Sequence, residues 1–131
     1  MRSLLFLTLL FCLSLPARSQ SYEIDMNGKD TVNKIDANDQ KQGKWLIRGQ
    51  DKPRSCFESR QVVETGQYSN NRKTGLWLEY YCNGKIRNKL TYVNGVLEGY
   101  AIFYEKNGSV LKEGSFKENH WVTDNKAKTE N

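Results

Sequence analysis

The sequence predicts an all-β protein: an elongated antiparallel meander of β-hairpin repeats with a period of 24 residues. Three observations carry this. Gly75, Tyr80, Asn83-Gly84, Ile86 and Tyr92 recur as Gly99, Tyr104, Asn107-Gly108, Val110 and Phe116, each 24 positions on. A fixed period of this size marks a repeat architecture. Within a unit, an aromatic-rich run, an Asn-Gly corner and a period-two return run are the parts of a hairpin.

Arg2, the apolar run Leu4 to Leu15, Pro16 and the small-residue stretch Ala17-Arg18-Ser19 have the form of a secretory signal over residues 1–19. The alternative is a membrane anchor, but the apolar run is shorter than the ~20 residues a spanning helix needs. Phe11 before Cys12 does not suit a lipidation site. Export is therefore expected, to the periplasm or the extracellular space. The formal charge is +5, and loss of Arg2 and Arg18 with the signal leaves about +3. That is too little for a nucleic-acid footprint, so no nucleic acid is expected as a partner. The rest of the chain suits one domain.

Two cysteines remain after the signal, Cys56 and Cys82. In an oxidising compartment they form a possible disulfide closing a loop of about 27 residues, worth about 3–4 kcal/mol in the chain-entropy description. Two unpaired thiols are the alternative. Two cysteines and one histidine make a poor zinc site.

Residues 20–37 read as a polar lead-in that docks onto the first repeat. Tyr22, Ile24 and Met26 alternate and allow one short strand. The repeat domain is expected over 38–122. Gly43 and Trp45 open its first unit, as Gly75 and Trp77 open the second, and Asn38 precedes Gly43 as Asn70 and Asn94 precede the later glycines. Gly66-Gln67-Tyr68 matches Leu90-Thr91-Tyr92 and Gly114-Ser115-Phe116, so the first unit holds about 8 extra residues, near Gln50 to Arg60. This insert carries Cys56. It is either a neutral extension or the seat of a role particular to this chain.

Leu76 to Tyr81 reads as the outgoing strand, Asn83-Gly84 as a two-residue type I′ turn, and Ile86 to Tyr92 as the return. Ile86, Leu90 and Tyr92 are expected on the inner face and Arg87, Lys89 and Thr91 on the outer. Val110, Gly114 and Phe116 repeat the inner set, with Lys112 as an exception. The outgoing strand is apolar on both faces. Either the sheet curls to cover both, or aromatics stay exposed. A fourth unit starts and stops, with Trp121 expected to cap the last strand. Residues 123–131 are expected to be disordered. An open meander leaves two strand edges.

Gly75, Trp77, Tyr80, Tyr81, Asn83, Gly84 and Lys85, with Gly99, Phe103, Tyr104, Asn107 and Gly108 and the earlier Gly43 and Trp45, resemble the MORN-variant repeat family of bacteria, some of whose members are described as antitoxin-like. The resemblance runs from about Asn38 to Trp121. It implies an elongated hairpin array that binds proteins or membrane surfaces, and it brings no catalytic residues. Ala101, in the Trp slot, departs from the pattern. An antitoxin role inside the cell does not suit an export signal.

Catalytic and metal sites are expected to be absent, and no cofactor is expected. His120 is the single histidine and has no nucleophile in register. Glu79, Glu98, Glu105 and Glu113 show no spacing that singles out an acid pair. Asn107-Gly108-Ser109 fits the glycosylation rule but lies in a hairpin turn. The expected function is an exported, non-enzymatic binding or scaffold protein with a protein partner. The alternative is a peripheral envelope module that touches anionic lipid or surface glycan.

Overall fold

The computed structural model describes residues 19–24 and 28–122. The expected signal (save Ser19), Met26 and the tail 123–131 expected to be disordered lie outside the described residues.

Among the described residues, ten strands form one open antiparallel sheet in meander order. They are β1 (Ser21–Ile24), β2 (Thr31–Ile35), β3 (Lys41–Arg48), β4 (Val62–Ser69), β5 (Arg72–Tyr80), β6 (Ile86–Val93), β7 (Val96–Leu97), β8 (Gly99–Tyr104), β9 (Val110–Lys117) and β10 (His120–Val122). A 3-10 turn, Gly49–Asp51, follows β3. The sheet order is β1-β2-β3-β4-β5-β6-β8-β9-β10, with β7 also on β6. The stretch 20–37, read as a lead-in with one strand, thus carries two strands that extend the sheet: β1 pairs β2, and β2 pairs β3.

The period is visible in the register. Gly75 faces Tyr92 and Gly99 faces Phe116; Trp77 faces Leu90 and Ala101 faces Gly114; Tyr80 faces Ile86 and Tyr104 faces Val110. In the first unit Gly43 faces Tyr68 and Trp45 faces Gly66. Strands β7 and β8 together are the counterpart of β5, broken at Glu98. All three opening glycines have positive φ (+67, +66 and +102 for Gly43, Gly75 and Gly99). A Cβ on Gly43 or Gly75 would meet nothing, so glycine is needed there for its backbone freedom.

The turn chemistry departs from expectation. The Asn83-Gly84 corner is not a two-residue type I′ turn. Gly84 N–H donates to the Tyr81 carbonyl (2.9 Å), Tyr81 N–H donates to the Lys85 carbonyl (2.8 Å), and Gly84 alone has positive φ. This is the three-residue loop ending in a left-handed residue. Glu105 to Ser109 repeats it with Gly108, and Asp36 to Gln40 repeats it with Asp39. Asn38 therefore lies in a corner unlike those of Asn70 and Asn94. The type I′ corners are the ones between units, where both central residues have positive φ: Asn70-Asn71, Asn94-Gly95 and Glu118-Asn119, 24 residues apart. They share one bonding scheme. Asn71 N–H donates to the Lys41 carbonyl (3.2 Å), Gly95 N–H to Lys73 (2.8 Å) and Asn119 N–H to Leu97 (3.0 Å). The Asn71 and Asn119 side chains accept in return from Lys41 N–H and Leu97 N–H, both at 2.8 Å.

A register shift follows Glu79 and another follows Phe103. A bulge on the return strand changes its alternation. Ile86 consequently pairs with Tyr80 and leaves the face of Leu90, contrary to the expected inner set. Asn88 sits there instead, buried beside Leu90.

One face holds the core. Trp45, Tyr68, Trp77 and Tyr92 meet edge to face in a file, with centroids 5.4, 5.1 and 6.4 Å apart. Phe103, Phe116 and Trp121 form a second cluster at 5.1 to 6.5 Å. Trp77 is fully buried. Its indole lies where a Cβ on Gly66 would be, 2.3 Å from Trp77 Cδ2, and the Trp121 indole covers Gly114 in the same way at 2.5 Å. One period on from Gly66 stands Leu90, and one period on from Trp77 stands Ala101; both are buried. The Trp slot at Ala101 is thus compensated: the large residue has moved across the interface. Trp121 does what the missing fourth unit would do, covering the last return strand.

Candidate functional site

The repeat-defining residues assemble as strands and corners around the aromatic file. Each ring in the file is also met by a lysine. Lys41 Nζ lies 4.7 Å from the Trp45 ring and 5.1 Å from Tyr68. Lys73 repeats this at 3.9 Å from Trp77 and 5.3 Å from Tyr92. Lys112, the exception to the inner set, stands 3.8 Å over Trp121. An ammonium over a ring face is held by the ring quadrupole while its stem covers apolar surface. The signal for these lysines was present in the sequence, since Lys41 and Lys73 each precede a repeat tryptophan by four positions.

Glu64 was not singled out by sequence reasoning. It lies directly across from Glu79 on β4 and β5. Two carboxylates side by side invite acid–base chemistry, but both are engaged. Glu64 binds Lys73 at 2.9 Å and Lys52 at 3.4 Å. Burial pushes the Glu64 carboxyl up, yet the Lys73 hydrogen bond and the charges of Lys73 and Lys52 outweigh it and hold the carboxyl below its ordinary value. Glu79 accepts from the buried Asn88 amide at 2.6 Å. Burial, and then these carboxylates, raise the Tyr68 and Tyr92 phenols.

The other acids do not converge. Glu98 accepts from Glu118 N–H at 2.8 Å, Glu105 closes a hairpin corner, and Glu113 accepts from the Tyr100 hydroxyl at 2.7 Å. His120 is exposed in β10, its Nδ1 2.8 Å from the Glu118 carbonyl. Among the described residues, no group of three or more His, Cys, Asp or Glu could hold a metal ion.

The insert spans 49–61 between β3 and β4. Gly49 N–H and Gln50 N–H donate to the Gln61 and Ser59 carbonyls at 2.9 and 3.0 Å and close its base. A disulfide joins Cys56 to Cys82, with Cα atoms 5.9 Å apart. The Gln61 side chain adds a bond to the Cys82 carbonyl at 2.8 Å. The extension is thereby tied to the hairpin tip of the second unit. That tip is tied to the third through Asn83 to the Lys106 carbonyl (3.0 Å) and Lys85 to the Asn107 carbonyl (2.8 Å). Beside the insert a concavity of about 210 Å³ is lined by Phe57, Val63, Glu64, Glu79, Tyr80 and Arg87. A second, of about 560 Å³, opens between β1, β3 and the start of the insert, among Tyr22, Lys41, Trp45, Asp51 and Lys52.

The opposite face of the sheet is different. Leu76 and Tyr100 on it are 55% and 52% exposed, and Val110 and Leu111 are 55% and 62% exposed. The outgoing strands are apolar on both sides, and a single layer covers one. Comparison with family models, with curated proteins and with solved structures yields no match for this chain.

Proposed function

We propose that the chain is an exported, non-enzymatic β-repeat module that binds a protein, built as the MORN-variant resemblance implies. The observation that carries this reading is the exposed apolar face of β5, β8 and β9, since contiguous apolar surface on a monomer marks an interaction site. The chemistry-bearing groups support it from the other side. Glu64, Glu79, Glu98 and Glu113 are each spent on internal bonds. The ring faces of Trp77 and Trp121 are occupied by lysines, which leaves them unsuited to stacking on sugars. The Cys56–Cys82 bridge is of the kind oxidising compartments sustain, in keeping with the leader pattern.

The test is affinity capture with the exported chain from its own envelope fraction. A defined protein above the level of an unrelated β-protein bait is the expected result, and nothing above that level counts against the reading. Fractionation is the companion measurement: full-length chain retained in the cytosol, with residues 1–19 uncut, would remove export.

A further inference from the structure

We infer that the face of β5, β6, β8 and β9 opposite the aromatic file docks an acidic amphipathic helix of a partner protein; this rests on the binding reading above. The register lays out the surface. Leu76, Thr91, Tyr100 and Ser115 form one row across the four strands, and Leu78, Lys89, Ile102 and Glu113 form the next. Tyr80, Ile86, Tyr104 and Val110 form the third. The third row is apolar or aromatic throughout and the first two are half so, and four strands at about 4.8 Å spacing make a patch roughly 15 Å wide. About ten helical residues cover that distance. A helix laid on a sheet is one of the few stable ways to cover a bare apolar face.

Charge selects the occupant. Lys89 and Lys117 belong to this face, and Lys117 forms no ion pair among the described residues. The one acid in the rows, Glu113, is hydrogen-bonded to the Tyr100 hydroxyl. An apolar centre with a basic rim complements leucines flanked by Glu or Asp. A second copy presenting the same face would bring Lys89 and Lys117 against their own kind. A membrane is disfavoured by the corners: Asn83-Gly84-Lys85, Lys106-Asn107-Gly108 and Asn94-Gly95 carry no apolar side chain to enter a bilayer.

The experiment titrates the exported chain with a 14-residue helical peptide of leucine, alanine and glutamate, and with its lysine counterpart. Binding is read by anisotropy and by amide shifts. The glutamate peptide should bind at least about tenfold more tightly than the lysine one, lose affinity as salt rises, and shift amides in β5, β6, β8 and β9. Leu76→Gln with Val110→Gln should weaken it about tenfold, and Lys117→Glu should act through the salt-dependent part. These side chains are exposed, and an unchanged far-UV spectrum checks the fold. Equal affinity for both peptides, no binding up to millimolar peptide, or shifts confined to the Trp45–Trp77 face would overturn the inference. So would binding to phosphatidylglycerol vesicles that the Leu76/Val110 variant abolishes, or a dimer in sedimentation that it dissolves. Envelope capture with the variant separates this inference from the one beneath it. A partner retained undiminished removes this surface but keeps the binding module; no partner even with the parent chain removes the module.

Discussion

Exchanging the large and small residues at the Gly66–Trp77 contact should reproduce a solution the chain already uses one period later. Trp77 is fully buried, donates Nε1–H to the Gln67 carbonyl at 3.1 Å, and meets Tyr68 and Tyr92 edge to face. Removing it in Trp77→Ala loses the transfer energy of a buried indole, one hydrogen bond and two ring contacts, about 4 kcal/mol together. Gly66→Leu alone forces a side chain into the indole, since even a Cβ there would stand 2.3 Å from the ring. Overpacking of that kind costs about 2 kcal/mol. If the two effects were independent, the double variant would lose about 6 kcal/mol. Leucine in the space the indole vacates instead restores the Leu90–Ala101 arrangement, with an expected loss of about 3 kcal/mol and a coupling of about 3 kcal/mol. Urea unfolding of the four proteins, with the disulfide intact, measures it. A double variant within about 0.5 kcal/mol of the sum would refute the claim that Ala101 is compensated by Leu90.

Acid should weaken the fold through Glu64. A carboxyl held below its ordinary 4.5 stabilises the protein above that pH and loses the contribution as pH falls through its folded value. The urea midpoint should therefore drop between about pH 5 and pH 3, and less steeply in Glu64→Gln; an equal slope in both would mean that Lys73 and Lys52 do not govern this carboxyl. At the corners, Asn71→Gly keeps the positive φ and gives up only the side-chain bond to Lys41 N–H, as Gly95 does naturally, for about 1 kcal/mol or less. Asn71→Ala adds backbone strain and should cost more, by thermal unfolding; an order of Gly below Ala would contradict the shared corner geometry. Without reductant, alkylation should add no mass at Cys56 or Cys82, and Cys56→Ser should lower stability by up to about 3–4 kcal/mol.

Much of the fold was legible in the residues because hairpin repeats are local. A 24-residue spacing of Gly, aromatic and Asn-Gly residues sets strand length, connection and neighbour order without distant contacts. It thus led to the meander and to the partnership of Gly75 with Tyr92 and Gly99 with Phe116. Corner types were less legible. Asn-Gly serves either a two-residue turn or the end of a three-residue one, and only the bonds closing at Tyr81 and Lys85 separate them. Bulges were invisible, so Ile86 was assigned to the wrong side. The lead-in read as one strand because β2 has little amphipathic alternation of its own and is stabilised by pairing with β1 and β3.

By itself the sequence determined the architecture: the repeat, its phase, the insert and the aromatic stock of the core, since these depend on neighbours along the chain. Tertiary structure alone decided the pairings across strands. It set Trp77 on Gly66, Trp121 on Gly114, Lys73 between a ring and Glu64, and Cys56 against Cys82. The reason is geometric: residues far apart in sequence meet only once the strands are in register, and a spacing pattern says which strands adjoin but not which atoms fill the space between them.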